Sequence, residues 1–337
     1  LSKYGSKEEQ VKEIKKILAE KVLDENSLDS LAKELWTGAV EAGEIEKASF
    51  EEWLESRFKY QLVWLDKDDY LRALTRALWL APKFAGTDFG ASRQRDIAQV
   101  WTDTTRGFLG EIAVGKFFYE NFKVEIILDT KRGKLEEFLP TDISEIILPD
   151  RTRRTPNLNV SIKTGKFNAR WLDVPGAQVE HSDVFILVKI GILRHHFIAF
   201  LKAVSFLKDK LFPQAVSLGE LNEEEKKQLW DEIPTFDSIP AYISGFLEKS
   251  ELNMPIHYLE VKIRGDKHKR IAVTRGIGLF SPENLRHDER IKKLDPKKEL
   301  RIEIEPIIDA LTNTHFLAHS GGLKWGEDSW NDLIKRL

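Results

Sequence analysis

The chain has 337 residues, about twice the length of a typical single domain, and 42% of them are hydrophobic, including 19 Phe and 9 Trp; two or three packed units around a large core are expected. Its 52 Lys and Arg against 55 Asp and Glu leave a net charge of −3, which excludes a histone-like basic coat and, at this hydrophobicity, a disordered chain. The absence of Cys excludes disulfides, zinc fingers, iron–sulfur clusters and a thiol nucleophile.

The opening LSKYGSKEEQ has neither the basic nor the apolar part of a secretory signal, and no stretch reaches the ~18 apolar residues of a membrane span. A cytoplasmic protein without a membrane partner is therefore expected. Residues 1–90 read as a helical region. Ser6 followed by Glu9 has the capping-box pattern, and Val11, Ile14, Ile17, Leu18 and Val22 keep an apolar stripe. A second helix is expected from about Asp29, and a third from Ser49, with Trp53, Leu54, Phe58, Leu62 and Leu65 on it. A fourth, over about 69–80, should stop at Ala81-Pro82. Residues 97–118 read as one long apolar helix with Gly107 and Gly110 as break points. Five short β-rich runs follow, at 124–128, 143–148, 160–163, 184–190 and 196–201. Beyond Pro213 come a helical piece at 223–233, a hairpin of 258–264 with 270–274 around Gly265-Asp266, a strand at 300–304 and a last helix from Asp328. The expected class is α+β with a central mixed sheet, in three parts: a helical region (1–90), an α/β core (91–212) and a C-terminal extension carrying the hairpin (213–337).

The run from Gly110 to Lys116 has the G-x-x-x-x-G-K spacing of a phosphate-cradling loop, but Phe117 stands where a Ser or Thr must hold Mg²⁺. Its interior is apolar and helix-forming, so no nucleotide cofactor is expected. His181, His195 and His196 match no common zinc spacing and read as surface or satisfied histidines, the last two facing opposite ways on a strand. Ala318 to Gly322 reads as a loop. Glu111 stands out: on a helix it points within about 20° of Phe118, among apolar neighbours, where a carboxylate is costly unless a positive group meets it. Two readings stay open for it, an edge glutamate paired with Lys or Arg and a carboxylate held for a metal.

Pro140-Thr141-Asp142 opens a strand, 151–157 is a basic turn, and Val160-Ser161-Ile162-Lys163 begins the next strand. Paired antiparallel, the two strands would bring Asp142 and Lys163 to one sheet edge, with Ser161 and Lys163 on one face and Ile162 on the other. Two carboxylates and a lysine are what metal-assisted phosphodiester hydrolysis needs, the carboxylates for Mg²⁺ and the lysine for water or for charge on the phosphorus.

Over about 105–202 this order resembles the PD-(D/E)xK nuclease superfamily, and within it the type II restriction endonucleases. The resemblance implies a restriction-endonuclease-like core and a Mg²⁺-dependent, sequence-specific endonuclease of double-stranded DNA, acting as a homodimer. It also implies Glu111 and Asp142 as metal ligands and Lys163 as the catalytic lysine. Ser161 occupies the motif position that is usually Glu or Asp. Members with such a serine recruit the carboxylate from elsewhere, for which Glu111 is the first candidate and Glu180 the second. Asp150, after Pro149, offers a competing register but reads as turn chemistry. A structure-selective repair nuclease and a decayed DNA-binding module remain alternatives on the same scaffold.

Charge is segregated along the chain. Residues 1–80 carry 13 Lys and Arg against 17 Asp and Glu. Residues 151–170 carry Arg151, Arg153, Arg154, Lys163, Lys166 and Arg170 and no acid. Residues 262–275 carry Lys262, Arg264, Lys267, Lys269, Arg270 and Arg275 against Asp266 alone. Both basic stretches lie on or beside expected hairpins, and a two-stranded ribbon can enter a major groove and grip phosphate or guanine. Arg93 and Arg95, before the core helix, join them as DNA-contact candidates; the bland alternative for all of these is a solvated face.

Overall fold

Apolar stripes at helical spacing organise the N-terminal stretch of the computed structural model, which describes residues 5–45, 50–84, 96–129, 141–252, 255–264, 270–294, 301–305, 307 and 313–337. Helix α1 (Lys7–Leu18) starts at the Ser6–Glu9 capping box. Helix α2 (Glu25–Glu41) starts earlier than expected because the Asp24 side chain caps it, accepting from the Ser27 N–H at 2.7 Å. The short α3 (Phe50–Glu52) runs on as a π-helical stretch, Trp53–Lys59, that buries Trp53, Leu54, Arg57 and Phe58. Leu62 and Leu65, expected on that helix, lie instead on strand β1 (Leu62–Leu65), which alternates half-buried and buried residues. Helix α4 (Lys67–Phe84) runs past Pro82 rather than stopping before it. Near a helix end with Leu78 half-exposed, solvent can take the carbonyl that proline leaves without a donor. Helix α5 (Ile97–Phe122), capped by Asp96, is continuous through Gly107 and Gly110. The G-x-x-x-x-G-K run is therefore helix, and its Lys116 donates to the Trp64 carbonyl at 3.0 Å and pairs with Asp69.

Next come β2 (Glu125–Leu128), β3 (Ile143–Ile147) and β4 (Arg153–Arg154), a three-stranded antiparallel sheet of their own. They are followed by β5 (Val160–Lys166), β6 (Trp171–Pro175), α6 (Gly176–Val179), β7 (Val184–Ile190), α7 (His196–Ala203), α8 (Phe212–Ser217) and α9 (Glu223–Glu232). The chain continues with β8 (Ile239–Glu248), α10 (Lys249–Leu252), β9 (Tyr258–Arg264) and β10 (Arg270–Phe280). It ends with α11 (Pro282–His287), α12 (Glu289–Leu294), β11 (Arg301–Ile304), β12 (His315–His319) and α13 (Glu327–Arg336). The fold is mixed α+β, and among the described residues no helix is long and apolar enough to cross a membrane.

The central sheet has the order β1-β8-β7-β5, with β5 and β7 parallel and the other neighbours antiparallel. It takes β1 from the first ninety residues and β8 from beyond residue 213. All seven residues of β7 are buried, as a strand covered on both faces must be. Val184, Ile186 and Val188 join Leu109, Ala113 and Phe117 of α5 in one core. Phe185 and Leu187 face Leu172, Val174 and Ala318 of a second sheet, ordered β11-β10-β12-β6 with β9 on β10.

Three expectations about strands are corrected. Residues 196–201 form helix α7, which buries His196, Ala199 and Phe200, the i, i+3, i+4 spacing of a helix face and not the alternation of a strand. Strands β3 and β5 do not form a hairpin: β3 pairs with β2 and β4, and β5 runs parallel to β7. Residues 318–322, expected as a loop, end β12 and form a single 3₁₀ turn. The expected pairing of 258–264 with the strand that begins at Arg270 is present, and β10 continues to Phe280.

Candidate active site

Three elements from different parts of the chain converge at the free edge of β5. Helix α5 crosses β5 at Gly110, where a Cβ would stand 1.9 Å from Thr164 Oγ1, so any larger residue would have to displace the Thr164 side chain. Glu111 is the next residue of that helix. The chain entering β3 meets the start of β5 through backbone bonds: the Asp142 N–H donates to the Val160 carbonyl at 2.8 Å, and the Val160 N–H donates to Thr141 Oγ1 at 3.0 Å. Because β5 is an edge strand, it has main-chain donors to spare. Asp142 takes one, its Oδ2 accepting from the Ile162 N–H at 2.6 Å, and the Ser161 hydroxyl donates to the same carboxylate. Lys163 Nζ donates to Gln178 Oε1 at 2.5 Å, on the short helix α6.

The electrostatics of this cluster are those of two carboxylates and one ammonium withdrawn from water. Burial, then the charge of Asp142, holds the Glu111 carboxyl well above the usual carboxylate range, with Lys163 acting the other way. Burial also raises Asp142, against the pull of Lys163, the Ile162 N–H and the Ser161 hydroxyl. Lys163 is lowered by burial, although Asp142, Glu111 and Asp173 all favour its charged form. Asp129, at the end of β2, adds to the repulsion on both carboxylates, and its N–H donates to the Asp142 carbonyl at 3.0 Å. One more positive charge would satisfy the cluster.

The structure thus brings Glu111, Asp142, Ser161 and Lys163 together, although not through the hairpin expected for them. Ser161 serves Asp142 as a hydrogen-bond donor. Glu180, the second candidate for a carboxylate, is exposed after α6, and its carbonyl accepts from Lys249 Nζ at 2.9 Å. Asp150 is turn chemistry, its Oδ1 accepting from the Thr152 N–H at 2.9 Å. His195 and His196 stand at the start of α7 with their rings stacked, and His196 Nδ1 accepts from the Leu193 N–H. Asp129 and Gln178 were not anticipated. The pairing of β2 with β3 is the signal that places Asp129, and nothing in the sequence marks Gln178.

The basic candidates divide into groups. Arg151, Arg153 and Lys166 are exposed, with Arg153 3.8 Å from Glu145. Arg154 Nη1 donates to the Leu337 carbonyl at 2.6 Å. Arg170 pairs with Glu41 and Glu305, and Arg275 is buried, donating to the Val40 carbonyl at 3.2 Å and the Glu41 carbonyl at 3.3 Å. Those last two brace α2 against the second sheet rather than facing solvent. Arg93, Arg95, Lys267 and Lys269 lie outside the described residues, as do the side chains of Arg264 and Arg270.

Among the described residues no group of three or more His, Asp or Glu side chains stands close enough to hold a metal ion by itself. The donor set of Glu111 and Asp142 nevertheless suits a hard cation such as Mg²⁺, which binds through one or two carboxylates and completes its shell with water and phosphate oxygens. Burial holds both carboxylates above their usual range against the pull of Lys163, so a cation bound there would favour their ionised forms. Comparison of the chain with family models, with characterised proteins and with solved structures returned no match.

Proposed function

We propose that the protein is a Mg²⁺-dependent endonuclease of double-stranded DNA that cuts at specific sequences, as a restriction enzyme does. The observation that carries this reading is the convergence of Glu111 from helix α5, Asp142 from the chain entering β3 and Lys163 from β5 on one partly buried strand edge. Glu111 and Asp142 would hold the ion, which when bound supplies a Lewis acid for the scissile phosphate and acidifies a water. Asp142 is pinned for this by the Ile162 N–H and the Ser161 hydroxyl. Lys163, oriented by Gln178, sets its ammonium against the negative charge that builds on the phosphate oxygens during attack. Hydrolysis needs no covalent intermediate on the chain: water attacks phosphorus in line and the 3′ oxygen leaves.

Arg151, Arg153 and Lys166 are exposed cations that could meet backbone phosphates. The β9–β10 hairpin, with Lys262 exposed on it, would supply groove contacts. A two-fold dimer would present one such centre to each strand of a palindromic site.

Plasmid DNA incubated with the full chain, with Mg²⁺ or with EDTA, tests the reading. Discrete fragments that require Mg²⁺ and vanish in Lys163→Ala are expected. Cutting confined to branched or damaged DNA would keep the chemistry and overturn sequence-specific action. Tight binding without cutting would mark a decayed scaffold, and neither binding nor cutting would remove the nuclease reading.

A further inference from the structure

A second pair of ionisable groups stands on the neighbouring sheet, beside the cluster of Glu111, Asp142 and Lys163. Strands β6 and β12 are antiparallel, with Asp173 opposite Leu317 and Pro175 opposite His315. Asp173 and His315 are therefore diagonal neighbours on one face, and Asp173 Oδ1 lies 2.6 Å from His315 Nδ1. The side chains are 31% and 13% exposed, so the pair borders solvent rather than closing a core.

Helix α6 ties this pair to the main cluster. It follows β6 directly; its first residue, Gly176, donates its N–H to the Thr314 carbonyl at 3.2 Å, one residue before His315. Two residues later Gln178 accepts from Lys163 Nζ. The charge of Asp173 acts on Lys163 itself. Asp173 occupies Nδ1, which leaves Nε2 as the ring's remaining donor.

We propose that His315, oriented by Asp173, is a phosphate-binding residue of the substrate groove, donating from Nε2 to a DNA backbone phosphate next to the scissile one. The inference rests on the nuclease reading. A carboxylate on Nδ1 fixes the tautomer and favours the imidazolium, and an imidazolium gives phosphate a charge-assisted hydrogen bond. The hydrogen bond that the ring donates to Asp173 raises the His315 pKa above its ordinary value, against the effect of burial. Among the described residues, the charged group that acts on the ring is Asp173 on β6, whose charge also acts on Lys163 of β5; Phe280 of β10, opposite His315 on the strand's other side, brings no charge.

Binding of a labelled duplex to the full chain, with Ca²⁺ in place of Mg²⁺, over a series of salt concentrations and pH values, tests this. His315→Gln is expected to weaken binding about tenfold and to reduce the log–log salt slope by about one. Wild-type affinity should fall as pH rises through the imidazole titration. His315→Gln should lose that fall, and Asp173→Asn should move it to lower pH. An unchanged slope and affinity in a variant that merely melts earlier would make the pair a structural cross-strand contact and overturn the proposal. Should both variants fail to fold, the imidazole NMR titration of the wild type decides: an upward shift of the His315 midpoint on adding duplex supports the contact, and no shift overturns it. A wild type that binds duplex no more tightly than His315→Gln sinks this inference alone, whereas a wild type that binds no duplex sinks the nuclease reading with it.

Discussion

The Asp142 carboxylate accepts the Ile162 backbone N–H at 2.6 Å, taking a donor that β5 exposes because no strand among the described residues pairs along that side. A carboxylate anchored to main chain keeps its place without metal or substrate, which is the preorganisation that a metal-assisted site requires. Asp142→Asn keeps an oxygen for Ile162 and removes only the charge. Plasmid cleavage is expected to fall by about 10²–10⁴, while metal-free duplex binding stays equal or tightens because one negative charge has gone. Cleavage at the wild-type rate would place the chemistry elsewhere.

Glu111 gives a prediction in stability. Its folded-state pKa is raised above the ordinary value of 4.5, so its contribution is fully present below that value and is lost as pH rises through the folded-state pKa. Asp142 behaves in the same sense from its ordinary value of 3.8. At neutral pH, then, both charged forms cost stability. Glu111→Gln is expected to raise Tm at neutral pH and to flatten the decline of Tm with rising pH. Mg²⁺, binding only the folded chain, is expected to raise the wild-type Tm, more at about pH 8 than at about pH 6 because the carboxylates must ionise to bind it. The increment should be absent in Glu111→Gln, and differential scanning calorimetry reads all three effects.

Much of this was legible before the coordinates. The α5 stripe, the β2, β3, β5 and β7 runs and the β9–β10 pairing come from local periodicity and turn chemistry, and all lie where the sequence places them. Residues 196–201 are a short aromatic run with no decisive period, and only the burial of His196, Ala199 and Phe200 together settles it as helix. Strand β8 escaped notice because Pro240 and Gly245 interrupt its pattern; Gly245 has φ +143° and its missing Cβ admits the Lys324 carbonyl. In the site, Glu111, Asp142 and Lys163 were readable as residue types in order. Gln178 and the Asp173–His315 pair were not, since each depends on β6 packing beside β12, a tertiary event with no local signal.

The arginines offer a contrast that charge counting alone cannot make. Arg151 and Arg153 are exposed, and the 3.8 Å approach of Arg153 to Glu145 is a surface pair of the kind that contributes about 0–1 kcal/mol. Arg151→Ala and Arg153→Ala should each lower the salt slope of duplex binding by about one and leave the unfolding midpoint unchanged. Arg275 is 8% exposed and donates to two carbonyls at the end of α2. Arg275→Ala should instead cost about 3 kcal/mol of folding stability with the salt slope intact. Urea titration and duplex binding on the same preparations separate the two classes.

Glu44 and Lys189 join the N-terminal helices to the central sheet through a pair with no exposed side-chain surface, Nζ to Oε1 at 2.6 Å. Glu44 also accepts from Trp53 Nε1 at 3.0 Å, the Tyr242 hydroxyl at 2.9 Å and Ser244 Oγ at 3.1 Å, and Lys189 donates to Ser320 Oγ at 3.0 Å. Burial works against the Glu44 charge, but Lys189 and Arg57 outweigh it and hold the carboxyl well below the usual range. Removing one member strands the other charge in the core. Lys189→Met is therefore expected to cost about 3–5 kcal/mol in urea unfolding, and Lys189→Met with Glu44→Gln to cost less than the two single changes together. Because the folded pKa of Glu44 is depressed, its contribution is present above the ordinary value of 4.5 and is lost as pH falls through the folded one. Acid should thus narrow the gap between wild type and Lys189→Met, and a gap that stayed constant from neutral to strongly acid pH would show that the pair adds nothing through its charges.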